Sequence, residues 1–516
     1  MKKFSVNFII LVLVIWQFFS VLLMAIGNWP VEVVWVNLFI SLIFLLLADN
    51  FHSLLFLIVS IPFYAAIPNG RFDSLSTWRI LFAVFFVKWF FQEIILKKQK
   101  LRFYLWDKIL GIFLAWSVFA TLAFGRFRFQ GLKQILFLLN IYIFYLAAAH
   151  IIKDRAQIIK TVKFVVYTLT IIIALGFAQL FFTFFVNLDT FWVYWASFIS
   201  RLYYGNYFYS VALVSNSWFS YNGTRGLRMF SIMPDSQSFS YICLFGVCLG
   251  TALTFTVSKK VQGWLWRGIR CAALALMLSG TRAVWVGMAA PFAALIAAFR
   301  NNFMKPAVKK FFWPFLIVII LFSISPLFNK GLEYLRAGGR FKENFLERAK
   351  SVYDLNDISN AGRIAIWKSS LAFSLRHPLG VGMANFLTSQ NQNSLQNYQE
   401  LSTQVNKRYN LPARYVSAHS LYLQILVETG LIGLLLFLCF FAYLLKDIWV
   451  FLKKNKNNCN FPVVFVFQFC LVLLWILLAG IFDVTLFNDK ILMFFLLMLA
   501  ITRVIIKGLP ESEMQD

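Results

Sequence analysis

His419 lies in Ser417-Ala-His-Ser-Leu-Tyr-Leu-Gln-Ile-Leu-Val-Glu-Thr-Gly-Leu-Ile-Gly433. A polar stretch of about ninety residues precedes it, and an apolar run of membrane length follows. An imidazole at such a boundary reaches water, a lipid headgroup and a soluble substrate at once. Its ordinary pKa, near neutrality, suits a general base. A sugar hydroxyl becomes a nucleophile once such a base accepts its proton, and imidazole does this without a metal. The plainer alternative is a residue that merely starts a helix, because Ser420 leads straight into Leu421, Leu423 and Leu426.

Two arginines could serve the other end of the same chemistry. Arg282, in Ser279-Gly-Thr-Arg-Ala-Val-Trp285, interrupts an apolar region. A charge there is either a snorkelling anchor or a functional group. Arg363 falls in the first turn of an expected helix that Asp357 caps and Pro378 ends. Ile364, Trp367, Leu371 and Leu375 recur along it at helical spacing. A cation is unfavourable near a helix N-terminus, so helix stability does not explain Arg363. Guanidinium donates in a fixed fork and stays charged, which matches phosphate oxygens. Two arginines and a base would suffice for displacing a lipid diphosphate. Glu428 is a tempting orienter for His419, but nine residues on a straight helix leave the two half a turn out of phase. We therefore read Glu428 as a separate polar contact. His377 reads as a turn residue, and His52 and His150 belong to the other end of the molecule. There is no HExxH, acidic metal cluster or Walker loop.

The elements that position these groups are membrane helices. Of 516 residues 60% are hydrophobic, with 61 Phe and 17 Trp. A soluble chain of this length could not hide that surface. Fourteen candidate helices fall near 5–26, 30–48, 51–67, 79–96, 109–124, 133–152, 162–186, 237–257, 268–281, 282–299, 312–328, 419–445, 462–485 and 490–507. The pair 268–281 and 282–299 abuts and could form a tight hairpin. The net charge of +27 does not imply a nucleic-acid partner, because the basic residues sit in short loops between apolar runs. With the N-terminus inside, the loops at 97–102, 153–163, 259–270, 300–310 and 446–456 all fall on one side, with Arg126 and Arg128 the main exception. That pattern predicts N-in and C-in. The six cysteines form no zinc pattern.

The expected fold is all-α and polytopic, with about 12–14 transmembrane helices and a large, partly helical extracytoplasmic segment before the last three. The organisation reads as a bundle over 1–328, an outer segment 329–417, three helices over 418–508 and a cytoplasmic tail 509–516. Within the bundle, 187–235 is a second outer segment, rich in aromatics, with Arg225 and Arg228 near its end. Its composition suggests a segment lying at the membrane interface.

Three pieces, in this order, resemble the O-antigen ligase and O-antigen polymerase superfamily of bacterial membrane glycosyltransferases. They are Ser279-Gly-Thr-Arg282-Ala-Val-Trp, Gly362-Arg363-Ile-Ala-Ile-Trp367 followed by His377-Pro-Leu-Gly-Val-Gly382, and Ala418-His419-Ser-Leu-Tyr-Leu-Gln424 with Glu428-Thr-Gly-Leu-Ile-Gly433. The resemblance implies a metal-independent enzyme without a cofactor, acting at the outer face of the cytoplasmic membrane. Its donor would be a glycan on undecaprenyl diphosphate, and its acceptor a glycan or lipid-linked hydroxyl. Arg282 and Arg363 would bind the diphosphate and His419 would activate the acceptor, with Glu428, Arg228 and Trp367 in support. Ser420 departs from the Asn that relatives often carry after the histidine. Two other classes compete: a transporter or flippase of the same lipid-linked glycan, and a non-catalytic scaffold of a polysaccharide assembly complex. A transporter would more often show repeated halves, and no repeat is present.

Overall fold

The computed structural model describes residues 5–68, 75–186, 188–205, 227–300, 358–386 and 417–509, with single positions between 308 and 320. Arg225, Asp357, most of the expected helix 312–328 and most of the segment 329–417 lie outside the described residues.

Helices follow one another along the chain as the apolar runs require. They are α1 (Val6–Ala25), α2 (Val33–Leu47), α3 (Asn50–Ser60), α4 (Thr77–Trp89), α5 (Leu105–Phe124), α6 (Arg128–Ile151) and α7 (Arg155–Phe182). Then come α8 (Leu188–Tyr194), α9 (Ser236–Leu253), α10 (Lys259–Leu278), α11 (Arg282–Gly287) and α12 (Ala289–Arg300). The last four are α13 (Ile358–Arg376), α14 (Leu421–Lys454), α15 (Phe461–Ala479) and α16 (Asp489–Lys507). Polar caps start several of them: Asp49 accepts from the Phe51 and His52 amides, Asp154 from Gln157 and Asp235 from Ser238. No strand occurs among the described residues.

Among the described residues, seven helices (α1, α5, α6, α7, α9, α14 and α15) are long and apolar enough to cross a membrane, and three shorter apolar stretches accompany them. The chain is an all-α polytopic membrane protein. Its axis is α15, apolar on every side, which packs against α9, α11, α12, α14 and α16. Peripheral helices such as α1 and α2 show Leu11, Phe19, Phe39 and Leu46 outward, as a lipid-facing surface would.

Three local features differ from the sequence expectation. α10 begins at Lys259, well before 268, because Trp264, Arg267 and Arg270 depress hydropathy without stopping a helix. The aromatic segment is part helix (α8 and a π turn at Trp195–Ser200) and part buried irregular backbone. Its end, residues 227–235, is wedged between α7 and α10. Gln179 of α7 accepts the Phe230 and Ser231 amides at 3.0 and 2.9 Å, and the Met229 amide reaches Leu278 O. Those bonds satisfy backbone that has no water. Third, α13 packs by Ile366, Ser370, Phe373 and Ser374 as well as by Trp367 of the expected stripe, whereas Leu371 and Leu375 are exposed. Ser370 and Ser374 return their hydroxyls to their own helix at 2.7 and 2.9 Å, so small side chains let α13 approach α14 closely.

Candidate active site

At one end of the bundle the starts of α9, α11, α14 and α16 meet the ends of α10 and α15. α14 has 34 residues, about 51 Å as a straight rod. It is not straight. Gly430, at φ 69° and ψ −172°, breaks it in a conformation essentially reserved for glycine. The break strands backbone groups, and the turn after α13 collects them. Val381 N donates to Val427 O at 3.1 Å, Gly382 N to Glu428 O at 2.8 Å, and Leu431 N to Pro378 O at 2.8 Å. Trp116 Nε1 of α5 donates to Thr429 O at 2.7 Å. The same turn is pinned to α5 and α6: Met383 N donates to Thr121 Oγ1 at 2.9 Å, and Phe127 N to Asn385 Oδ1 at 2.7 Å.

This clamp sets the backbone in front of α14, where His419 stands. His419 precedes the helix and takes φ +47°, a left-handed conformation that is strained for a side chain of this size. The helical-phase argument against Glu428 therefore loses its premise, since only one of the two residues is on the helix. Glu428 still acts apart from the imidazole. It accepts from Gln424 Nε2 at 2.7 Å and from the Ala384 and Phe386 amides. Gln424 Oε1 in turn accepts the Ala418 amide at 2.9 Å. Glu428 is thus connected to the backbone beside His419 through Gln424 and Ala418.

α13 supplies the neighbours. Trp367 Nε1 donates to Ala418 O at 3.0 Å, and its ring lies 5.9 Å from that of Phe482. Arg363, one turn earlier on α13, is close enough to act directly on His419. Burial and the Arg363 cation together push the imidazole down to about 3. The ring is therefore neutral at physiological pH. Because α13 begins at Ile358, Arg363 occupies its second turn, not its first.

The second cationic pair is built on the Ser279-Gly280-Thr281 turn. Arg282 opens α11 directly after that turn and is half-buried. Arg228, buried at the end of the wedged segment, donates from Nε to Ser279 O at 3.2 Å and from Nη2 to Thr281 Oγ1 at 3.4 Å. Thr281 Oγ1 donates on to Ser236 O at 3.1 Å, which ties the turn to the start of α9. His377 is exposed and stacks on Phe373 at 4.3 Å. His52 sits beside Asp49 at 2.6 Å, and His150 against Trp89. None of these three joins His419.

Two carboxylates of the site escaped the sequence reading. Asp235 caps α9, lies in the field of Arg228 and is held above the ordinary carboxylate range by burial. Asp483, in the bend after α15, is raised to about 6: burial outweighs its Thr485 bonds, Asp235 raises it further and Arg363 lowers it. Asp235, Asp483 and Tyr422 all act electrostatically on Tyr241. The bend itself is tied to the histidine segment by Leu421 N to Gly480 O at 2.7 Å and Tyr422 Oη to Leu477 O at 2.7 Å. Arg228 thus acts on Asp235, and Arg363 acts on both Asp483 and the neutral imidazole. No group of three or more potential metal ligands occurs among the described residues.

Residues 268–438 match the family model described as O-antigen ligase. That span contains Arg282, Arg363, Trp367, His419 and Glu428 and leaves Arg228, Asp235 and Asp483 outside. The chain matches no curated protein. A glycan-transfer activity of the O-antigen ligase kind is what this family implies. Over about a third of its length the chain is thus similar to the O-antigen ligase family, whose members are membrane glycosyltransferases.

Proposed function

We propose that this protein transfers or polymerises a glycan from an undecaprenyl-diphosphate carrier onto an acceptor hydroxyl during cell-surface polysaccharide assembly. The site would face outward from the bacterial cytoplasmic membrane, with both termini inside. His419 accepts the proton of the acceptor hydroxyl as its oxygen attacks the anomeric carbon. The bond from that carbon to the diphosphate breaks on the opposite face, giving inversion. The leaving diphosphate takes the electron pair, and Arg282 and Arg363 hold its charge. The group-transfer energy comes from the donor, so no nucleotide is required.

The observation that carries this reading is that α13 brings Arg363 within electrostatic reach of His419, with Trp367 of the same helix bonded to the adjacent Ala418. Buried, and beside the Arg363 guanidinium, the imidazole is a poor base. Burial is the larger cause and the Arg363 cation the smaller; a diphosphate bound to Arg363 offsets the second and raises the affinity of His419 for a proton. The donor thereby switches on the base that activates the acceptor. In the absence of donor, the same base is too weak to activate water or a stray hydroxyl.

The test is reconstitution of the purified protein in nanodiscs with the lipid-linked glycan extracted from its host. Longer glycan chains on the lipid carrier identify a polymerase, and movement of a finished chain to a second acceptor identifies a ligase. Donor that stays unconsumed by active-folded protein, with both substrates present, contradicts the proposal.

A further inference from the structure

Asp107 and Asp483 are both deeply buried, toward opposite ends of the bundle, and their surroundings differ. Asp107 is saturated: Oδ1 accepts from Tyr145, and Oδ2 accepts the Tyr104 amide at 2.8 Å and pairs with Arg503 at 3.1 Å. Asp483 is only 4% exposed, yet just one of its oxygens is used. Its Oδ1 accepts the Thr485 amide at 3.0 Å and the Thr485 hydroxyl at 2.5 Å. Its Oδ2 has no hydrogen-bond partner among the described residues. A buried carboxylate oxygen without a donor is unfavourable, and native proteins rarely keep one for structure alone.

The orphan oxygen lies within the site already described. Phe482, the preceding residue, rests on Trp367, whose indole holds Ala418 next to His419. Arg363, Asp235 and Tyr241 are the charged or titratable groups that act on Asp483 from α13, from the wedged segment and from α9. Arg228 faces Asp235, and Arg363 faces His419. Arg363, together with Arg282, has another task in binding the diphosphate. What the pocket lacks is a neutral hydrogen-bond donor for Asp483, and sugars present hydroxyls in quantity.

We propose that Oδ2 of Asp483 is a sugar-binding oxygen, which accepts a hydrogen bond from a hydroxyl of the glycan that reacts at His419. This rests on the glycan-transfer reading and adds a contact to the sugar itself, where the arginines contact only phosphate. The carboxylate discriminates between glycans by the presence and position of that hydroxyl, because a sugar lacking it leaves the oxygen unpaired.

Asp483→Asn is the informative variant. Its amide oxygen keeps both Thr485 bonds, and its NH2 puts donors where an acceptor stood. In nanodiscs with host lipid-linked glycan as donor, and the host acceptor, KM is measured for each substrate separately. The expected result is a rise of roughly 10- to 100-fold in KM for one substrate, as for loss of a charge-assisted bond, with a smaller change in kcat. Whichever KM rises identifies the sugar held. His419→Ala, run beside it, should abolish turnover. Wild-type KM for both substrates in Asp483→Asn, with His419→Ala dead, overturns this proposal and leaves the proposed function standing. A fall in kcat alone also overturns it, since that marks a positioning role. Full activity in both variants overturns the function as well. If Asp483→Asn does not fold, the wild-type pH profile decides: kcat/KM for the substrate concerned should fall as pH drops through about 6, where Asp483 protonates. A flat profile from pH 7.5 to 5 for both substrates contradicts the proposal.

Discussion

Gly380 and Gly430 meet backbone to backbone: a Cβ on Gly430 would fall 2.6 Å from the Gly380 nitrogen, and one on Gly380 would fall 2.5 Å from the Gly430 nitrogen. Both residues have positive φ, 85° and 69°. Their contact lets the turn after α13 take up the hydrogen bonds that the break in α14 releases. It thereby fixes where α14 starts, and so where His419 stands.

Gly430→Ala should be among the most damaging small substitutions outside the chemistry. The strained conformation and the blocked approach together cost roughly 2–4 kcal/mol. A lower melting temperature in detergent, with loss of glycan transfer, is the expected outcome. Normal stability and activity would show that the turn does not depend on this contact.

The protonation of His419 should depend on the donor. Burial and the Arg363 cation push the imidazole down to about 3. Undecaprenyl diphosphate should raise that value by neutralising the field of Arg363. Nitrogen NMR of labelled histidine, in a variant lacking His52, His150 and His377, reads the shift directly. An imidazole that titrates at its ordinary value without ligand, or that does not respond to the diphosphate, contradicts donor switching.

Much of this arrangement was legible in the sequence, and the reasons for the remainder are physical. Apolar runs marked most helices, because a bilayer allows few other backbones. His419, Arg282 and Arg363 stood out because polar groups at membrane edges are conspicuous. Asp483 did not, because the run 462–485 absorbed it into a helix end, whereas the structure closes α15 at Ala479. Asp235 reads locally as an ordinary helix cap, and only the fold brings it near Asp483. The break at Gly430 was hidden because a helix-period pattern continues on both sides of it. The exposed Leu371 and Leu375 show the converse: spacing reveals an apolar stripe, not which neighbour covers it.

Arg363→Lys should keep the cation but lose the fork that matches two phosphate oxygens. We expect activity to fall roughly 10- to 100-fold, as for loss of a charge-assisted hydrogen bond. Arg363→Ala should in addition raise the pKa of His419 toward its ordinary value. Full activity in the lysine variant would point to a diffuse charge effect instead of bidentate binding.

Asp483 should also be a source of instability. Its carboxyl holds a proton up to about pH 6 in the folded chain, above its ordinary value when unfolded. Stability is therefore greatest below about pH 4, falls as pH rises between roughly 4 and 6, and stays lowered above that. Asp483→Asn removes the ionisation and should raise the melting temperature above pH 6, by an amount equivalent to a few kcal/mol at most. The gain should vanish below pH 4. A variant that is less stable than wild type at pH 7.5 would show that the charge is compensated in the fold.

The central claim is that His419 is the base. The most direct measurement is the surface glycan of cells carrying His419→Ala as the sole copy, resolved by gel at matched protein level. The account predicts that the final glycan is lost and that its precursor accumulates on the lipid carrier, either as single repeat units or as finished chains. A normal glycan profile at that protein level would contradict it.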